Sequence, residues 1–195
     1  MPVELESKLS VPSHDPVRER LRAAGAVPEG RVVETNRLFD NAEQALFHAG
    51  CGLRVRSAVP VDGAWRASAG GEAKSTFTFK GPQQKSGFKR REEIELPIEN
   101  PEGLAALLAE LGYTPWLVYE KRRESWTLGA CKIELDEIPQ LGRFVECEGP
   151  DDAAIREVLA ALNLAAEPNI VHSYPALIAK HLGESAPRPL TLRFA

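Results

Sequence analysis

The sequence predicts an α+β protein in which a closed antiparallel β-barrel with a charged lumen is wrapped by helices. Three observations carry that prediction. Seven separate segments alternate polar and apolar residues at period two, and the polar partner is usually ionised. Amphipathic helical stretches lie between these segments. An ordinary half-buried sheet turns its charges to water. Seven charged faces with acids and bases in near balance point instead to one surface on which all the strands converge. Apolar-out alternation also marks a membrane β-barrel, but here the segments are short and charged helical stretches separate them. No apolar run is long enough to span a bilayer, and no secretory leader is read ahead of the first strand, so a cytoplasmic location is expected.

The first strand reads Glu4-Leu5-Glu6-Ser7-Lys8, with Glu4, Glu6 and Lys8 on one face and Val3, Leu5 and Leu9 on the other. Asp15-Pro16 then offers a capping side chain and a proline at the first helical position, and Val17, Leu21 and Ala24 form an apolar stripe that stops at Gly25. Leu53-Arg54-Val55-Arg56 and Thr76-Phe77-Thr78-Phe79-Lys80 are strands separated by a loop over residues 60–73. A second loop, residues 81–87, precedes Arg91-Glu92-Glu93-Ile94-Glu95-Leu96. Asn100-Pro101 starts a helix through Leu104, Leu107, Leu108 and Leu111 that stops at Gly112. Lys121 and Arg123 share a face in the strand Val118 to Trp126. Strands over Ile133 to Asp136 and Phe144 to Glu148 follow, the latter setting Glu146 and Glu148 opposite Val145 and Cys147. A helix from Asp151-Asp152 carries Ile155, Val158, Leu159 and Leu162, and a short one covers Tyr174 to His181. Strand, proline-started helix and further strands recur as a pseudo-repeat, which reads as two halves of one barrel. One domain over 1–183 is expected, with a tail over 184–195 in which Leu190 to Phe194 forms an added edge strand.

The composition excludes several classes. The 195 residues are 43% apolar, ordinary for one globular unit, and the formal net charge of −4 argues against a general nucleic-acid surface. Cys51, Cys131 and Cys147 lack metal-finger spacing and read as reduced thiols. The four histidines are scattered, and no phosphate-loop or dinucleotide motif appears.

Only a compact polyanion would neutralise the basic residues of such a lumen. Arg54, Arg56, Arg91 and Arg123 offer forked donors suited to phosphate, and Lys8, Lys80 and Lys121 add point charges. Glu4, Glu6, Glu146 and Glu148 are hard oxygen ligands for Mg²⁺ or Mn²⁺, which also coordinate phosphate. An interior of ion pairs that only cancel one another is a poor alternative, because burying them costs more than an apolar core would.

These blocks together resemble the CYTH superfamily of triphosphate tunnel metalloenzymes. The similarity lies in Glu4-Leu5-Glu6-Ser7-Lys8, Asn36-Arg37-Leu38-Phe39-Asp40, Leu53-Arg54-Val55-Arg56, Phe79-Lys80-Gly81-Pro82, Arg91-Glu92-Glu93-Ile94-Glu95, Glu120-Lys121-Arg122-Arg123, and Leu135-Asp136-Glu137 through Leu141 to Glu148, in family order across about residues 2–182. The resemblance implies an eight-stranded antiparallel tunnel. It implies that Glu4, Glu6, Glu146 and Glu148 hold one or two divalent metals and that Asp136 is an acid of the site, as ligand or orienter. Lys8, Arg54, Arg56, Lys80, Arg91, Lys121 and Arg123 would grip the triphosphate. Lys8 is either a base assisting the attacking water, with Glu4 and Glu6 completing the catalytic set, or a phosphate clamp.

The resemblance extends to class IV adenylyl cyclases, thiamine triphosphatases and tripolyphosphatases, and Phe79-Lys80-Gly81-Pro82, Glu120 to Glu124 and Ser173-Tyr174 resemble the adenylyl-cyclase-like branch. Hydrolysis needs only triphosphate, metal and water, so the reaction is read as hydrolysis of a triphosphate. Cyclisation of ATP to cyclic AMP is the alternative, and a non-catalytic polyphosphate-binding module a third reading. No residue is tied to a nucleoside, so inorganic tripolyphosphate is expected to be turned over at least as efficiently as ATP. The expected partner is a small-molecule triphosphate, with no nucleic acid and no membrane, and a homodimer stays open.

Overall fold

Alternation at period two, carried around eight strands, closes the sheet on itself. The computed structural model describes residues 3–68, 70–84, 88–183 and 187–195. Chain order is β1 (Val3–Val11), α1 (Asp15–Ala23), β2 (Val27–Asp40), α2 (Ala45–His48), β3 (Gly52–Pro60), β4 (Lys74–Lys80), β5 (Lys89–Ile98), α3 (Pro101–Glu110), β6 (Thr114–Leu128), β7 (Cys131–Ile138), β8 (Gly142–Glu148), α4 (Asp152–Ala161), α5 (Tyr174–Leu182) and β9 (Leu190–Leu192). The sheet order is β2-β3-β4-β5-β1-β8-β7-β6, and β6 pairs back to β2, so eight antiparallel strands form a closed barrel. Each half contributes strand, helix and three strands, as the pseudo-repeat implied.

Closure sends the charged face inward. Glu6, Lys8, Glu34, Arg91, Lys121, Glu134, Asp136 and Glu146 are all buried. The apolar face turns outward and is covered by helices. Leu5, Leu9, Ile133, Leu135, Val145 and Cys147 pack beneath Val17 and Leu21 of α1 and Ile155, Val158 and Leu159 of α4. At the start of α4, a Cβ on Gly149 would lie 2.8 Å from Cys131 Sγ and 2.9 Å from Ile155 Cγ1, so only glycine lets the helix sit this close. Leu104 and Leu108 of α3 pack on Phe39 and Val55. The buried thiols of Cys131 and Cys147 sit in this outer layer, where burial raises their pKa values.

Asn100 and Asp151 cap α3 and α4 by accepting from Gly103 N and Ala154 N, both at 2.8 Å. The expectation for α1 needs correcting. Its cap position is His14, and Asp15 lies inside the first turn, bound to Arg18 at 2.6 Å. The His14 ring is instead committed to tertiary structure, with Nε2 3.1 Å from Phe144 O.

Two strands outrun their neighbours, and both exposed seams are filled. Beside Lys8, where pairing with β5 has ended, Ile170 N donates to Lys8 O at 2.7 Å and Asn169 Oδ1 accepts from Lys8 N at 3.0 Å. Along Leu117–Tyr119 of β6, β9 adds in parallel, burying Leu190 and Leu192 against Trp116 and Ile178. The part of the predicted tail at 184–186, the loop residues 85–87 and the first two residues fall outside the described residues. No helix of the described residues is long and apolar enough to cross a membrane.

Candidate functional site

Strand register decides which charges meet. Partners across an antiparallel pair share a face, so Lys8 opposite Glu146, Glu34 opposite Lys121 and Arg123 opposite Asp136 enter the lumen together, while Glu148, opposite Glu6, is exposed and does not line the cavity. The result is a cavity of about 320 Å³. Lys8, Arg54, Arg56, Lys80, Arg91, Lys121 and Arg123 all line it, with Glu4, Glu6 and Glu146. Arg122 points outside, its guanidinium 4.2 Å from the Phe194 ring centroid.

The deepest group centres on Asp136, which is fully buried. It accepts from Arg123 Nε at 2.7 Å and Nη2 at 2.6 Å, from Lys121 Nζ at 3.2 Å and from Tyr174 Oη at 2.9 Å. With both oxygens taken, Asp136 orients bases. Arg123 also reaches Glu146 at 2.6 Å, and Glu146 lies 3.3 Å from Lys8 Nζ. Lys8 further donates to His172 O at 3.2 Å and sits 4.0 Å from the centre of the Tyr174 ring. An anion, a carbonyl and a π face are the surroundings of an ammonium. Burial, then Asp136 and Glu146, raise the Tyr174 pKa well above its ordinary value, which keeps the phenol a donor.

A second group shares Lys121 with the first. Arg56 Nη1 stands 3.4 Å from Glu34 Oε1, and Lys121 Nζ 3.3 Å from Glu34 Oε2. Burial works against the Glu34 carboxylate, yet Arg56, Lys121, Arg123 and Arg54 together hold its pKa far below the usual range. Arg54 is poorly matched. Its contacts are Thr78 Oγ1 at 3.2 Å, Glu95 at 3.6 Å and Glu93 at 4.0 Å, and burial, then Arg56, lower its pKa. Among the described residues, Arg54 Nε and Arg91 Nε are buried donors that meet no hydrogen-bond acceptor.

Towards the opening, Lys80 Nζ bridges Glu4 at 2.7 Å and Glu93 at 2.8 Å. Glu148 is exposed. Burial of its carboxyl, then Glu4 and Glu6, raise its pKa, so three carboxylates feel one another here. Among the described residues, no three acids, histidines or cysteines are gathered closely enough to form a metal cage.

Several lumen residues fall outside the sequence-derived set. Glu34 and Asn36 come from β2, whose alternation is broken at its start by Pro28 and Gly30, where the register shifts. Parity counted back from Asp40 would have found them. Tyr119 also lines the cavity, burial pushing its pKa up to about 12. His172 and Tyr174 arrive on the segment that fills the Lys8 seam; strand parity announces neither, and only the family resemblance at Ser173-Tyr174 pointed to that segment.

Fold and lumen together define a class: a closed β-tunnel whose interior gathers seven basic side chains against an acidic wall. The CYTH domain model matches residues 2–174, and this chain belongs to the CYTH domain family. It is 25% identical over 181 residues to a Methanocaldococcus jannaschii protein named as a candidate adenylate cyclase, covering 88% of this chain and 96% of that one. Among solved structures, the PH1819 protein of Pyrococcus horikoshii matches with a TM-score of 0.76 at 23% identity, over 91% of this chain and 99% of that one. A Hippeastrum protein, described as a candidate adenylyl cyclase with a dominant triphosphatase activity, matches with a TM-score of 0.63 at 19% identity, over 94% and 98% of the two chains. Those structural likenesses concern the fold.

Proposed function

We propose that this chain is a divalent-metal-dependent hydrolase of triphosphate-containing substrates. One observation carries the reading. Seven basic side chains from five strands converge on one cavity, and two of them, Arg54 and Arg91, keep buried donors without acceptors. A buried polar group left unpaired costs about 1–3 kcal/mol, so such donors are expected where a ligand supplies the acceptors. Phosphate oxygens match the guanidinium fork.

Among the described residues the acids offer a metal its oxygen donors without standing gathered as a cage. Arg54, Arg56 and Lys80 stand on β3 and β4, whereas Glu4, Glu6, Glu146 and Glu148 stand on β1 and β8. A phosphate chain gripped by the first wall faces carboxylates on the second and is repelled unless a cation lies between them. Glu4, Glu6, Glu146 and Glu148 would hold Mg²⁺ or Mn²⁺, which would supply charge neutralisation to the phosphate oxygens. Asp136 is assigned as the orienter of Arg123 and Lys121. Lys8 is assigned as a phosphate clamp, since its carboxylate, carbonyl and aromatic neighbours all favour the ammonium.

Catalysis of phosphoryl transfer asks mainly for positioning and charge stabilisation, which this lumen supplies through side chains locked by one another. Hydrolysis further needs only water. The alternative in the same cavity is cyclisation of ATP, favoured by the apolar lining at the α2 end, where a nucleoside could lie. The test is a panel of tripolyphosphate, ATP and thiamine triphosphate with Mg²⁺ or Mn²⁺, resolving orthophosphate, pyrophosphate and cyclic AMP. Orthophosphate release supports the hydrolase. Cyclic AMP with pyrophosphate as the dominant products supports the cyclase, and binding without turnover supports a polyphosphate-binding module.

A further inference from the structure

We propose that a second pocket, on the outer surface of the barrel, binds inorganic orthophosphate between Arg18, Arg143 and His14. The pocket is a cavity of about 270 Å³ that shares no lining residue with the tunnel. It forms where the start of α1, the β3–β4 loop at Trp65 and the strands β7 and β8 meet. Glu137 stands opposite both Arg122 and Arg143, so these three side chains share the outward face of the wall. The site does not depend on the triphosphate reading.

Positive charge outnumbers negative charge around the pocket. Glu124 is shared by Arg18 at 3.0 Å and Arg31 at 2.9 Å, and Glu137 by Arg122 at 3.4 Å and Arg143 at 3.3 Å. Asp15, whose side chain is exposed, adds a carboxylate on Arg18 at 2.6 Å. Four guanidinium groups thus stand against three carboxylates, and Arg31 and Arg122 each lie 5.6 Å from the centre of the Trp65 ring. The two arginines that line the pocket keep donors to spare. Arg18 spends Nε on Glu124 and Nη1 on Asp15, and its Nη2 meets no hydrogen-bond acceptor among the described residues. Arg143 holds Glu137 at 3.3 Å and Pro12 O at 3.4 Å, both long for a hydrogen bond, and its side chain is half-exposed. Forked donors of this kind suit an oxyanion.

His14 narrows the oxyanion to one that carries a proton. The ring is buried and Phe144 O can only accept, so Nε2 holds the proton and Nδ1 is left as an acceptor. Among the described residues Nδ1 has no partner. Burial holds the pKa below its ordinary value and the charges of Arg18 and Arg143 press the same way, so the ring stays neutral near pH 7. Orthophosphate at that pH offers oxygens to the arginines and a hydroxyl to Nδ1. Sulfate offers the oxygens alone and leaves Nδ1 unpaired, and a site built to receive a hydroxyl rejects a ligand that lacks one.

Ring-nitrogen NMR of the full chain without metal tests the site, with the His14 signals assigned by their loss in His14→Gln. Orthophosphate near pH 7 is expected to shift the His14 Nδ1 signal saturably with a Kd on the order of 1 mM, and sulfate to bind about tenfold or more weakly. Arg143→Gln is expected to weaken orthophosphate at His14 about tenfold. Arg54→Met alters the tunnel alone and is expected to move that Kd less than about twofold, with thermal unfolding as a control on folding in both variants. The absence of a saturable shift at His14, an equal response to sulfate, an unchanged Kd in Arg143→Gln, or a loss in Arg54→Met as large as in Arg143→Gln would each overturn the outer site and leave the triphosphate reading standing.

Discussion

Arg54→Met is expected to stabilise the ligand-free protein while weakening its hold on phosphate. Arg54 is a buried charge with loose partners: its ion-pair distances are 3.6 and 4.0 Å, and its Nε lacks an acceptor. Removing it strands little. Glu93 keeps Lys80 at 2.8 Å, and Glu95 keeps the hydroxyl of Thr78 at 2.8 Å. It also relieves repulsion with Arg56. Replacing buried ionic groups by apolar ones of similar volume stabilises by about 1–4 kcal/mol, and the lower half of that range suits a charge that retains some pairing. For a chain of this length, about 1–2 kcal/mol raises Tm by roughly 2–8 °C. Loss of a charge-assisted hydrogen bond to phosphate costs about 1.5–3 kcal/mol, or roughly 10- to 150-fold in Kd. Urea unfolding in phosphate-free buffer and titration with tripolyphosphate measure the two effects separately. A variant destabilised by more than about 1 kcal/mol without ligand would refute the reasoning, since Arg54 would then be structural.

Glu4→Gln with Glu6→Gln should abolish turnover and leave the fold intact, because removing crowded acids relieves repulsion. Full activity of that double variant in excess chelator would defeat the metal requirement. Arg56→Ala should weaken ATP and tripolyphosphate alike, by about 1–3 kcal/mol, and a loss confined to ATP would show Arg56 misassigned. Tyr174→Phe deletes one hydrogen bond to the buried Asp136 and should cost about 1–3 kcal/mol in urea unfolding; no measurable cost would remove Tyr174 from the network. His14 links stability to pH. Burial holds its folded pKa below 6.5, so the unfolded chain binds the proton first, and stability should fall as pH drops below about 6.5 towards the folded pKa. His14→Gln should flatten that slope in urea midpoints taken across the range, and an unchanged slope would rule His14 out as its source.

Much of the tunnel was legible because strand parity is local. Arg54 and Arg56, or Glu146 and Glu148, declare a shared face within three residues of sequence, and ionised partners on so many faces require one lumen. Asn100 caps as expected, and the helix expected from Asp151-Asp152 starts there, because a helix start depends on its own residues. Failures occurred where a neighbour overrode the local signal. Asp15 is drawn to Arg18, and the cap position falls to His14, whose ring is held by Phe144 O from β8. Glu34 was hidden by the irregular start of β2, and its role depends on Arg56 and Lys121 from two other strands. α2 has only four residues and is held chiefly by Asp40, so its existence could not be read from periodicity.

The acids of the lumen divide by what they hold. Glu34 and Asp136 are buried and ion-paired with arginine and lysine, so they act as counter-ions that fix the bases before any ligand arrives. Such fixation lowers the ordering cost of binding, because guanidinium groups already aimed at the cavity lose little further freedom. Glu93 differs. It shares Lys80 with Glu4, and burial of its carboxyl is outweighed by Lys80 and Arg54, which keep it ionised. A phosphate taking Lys80 must compete with both carboxylates, whereas one reaching Arg54 Nε or Arg91 Nε displaces no protein acceptor. The phosphate chain should therefore engage Arg54 and Arg91 most favourably, so substitution at Arg54 separates binding from stability.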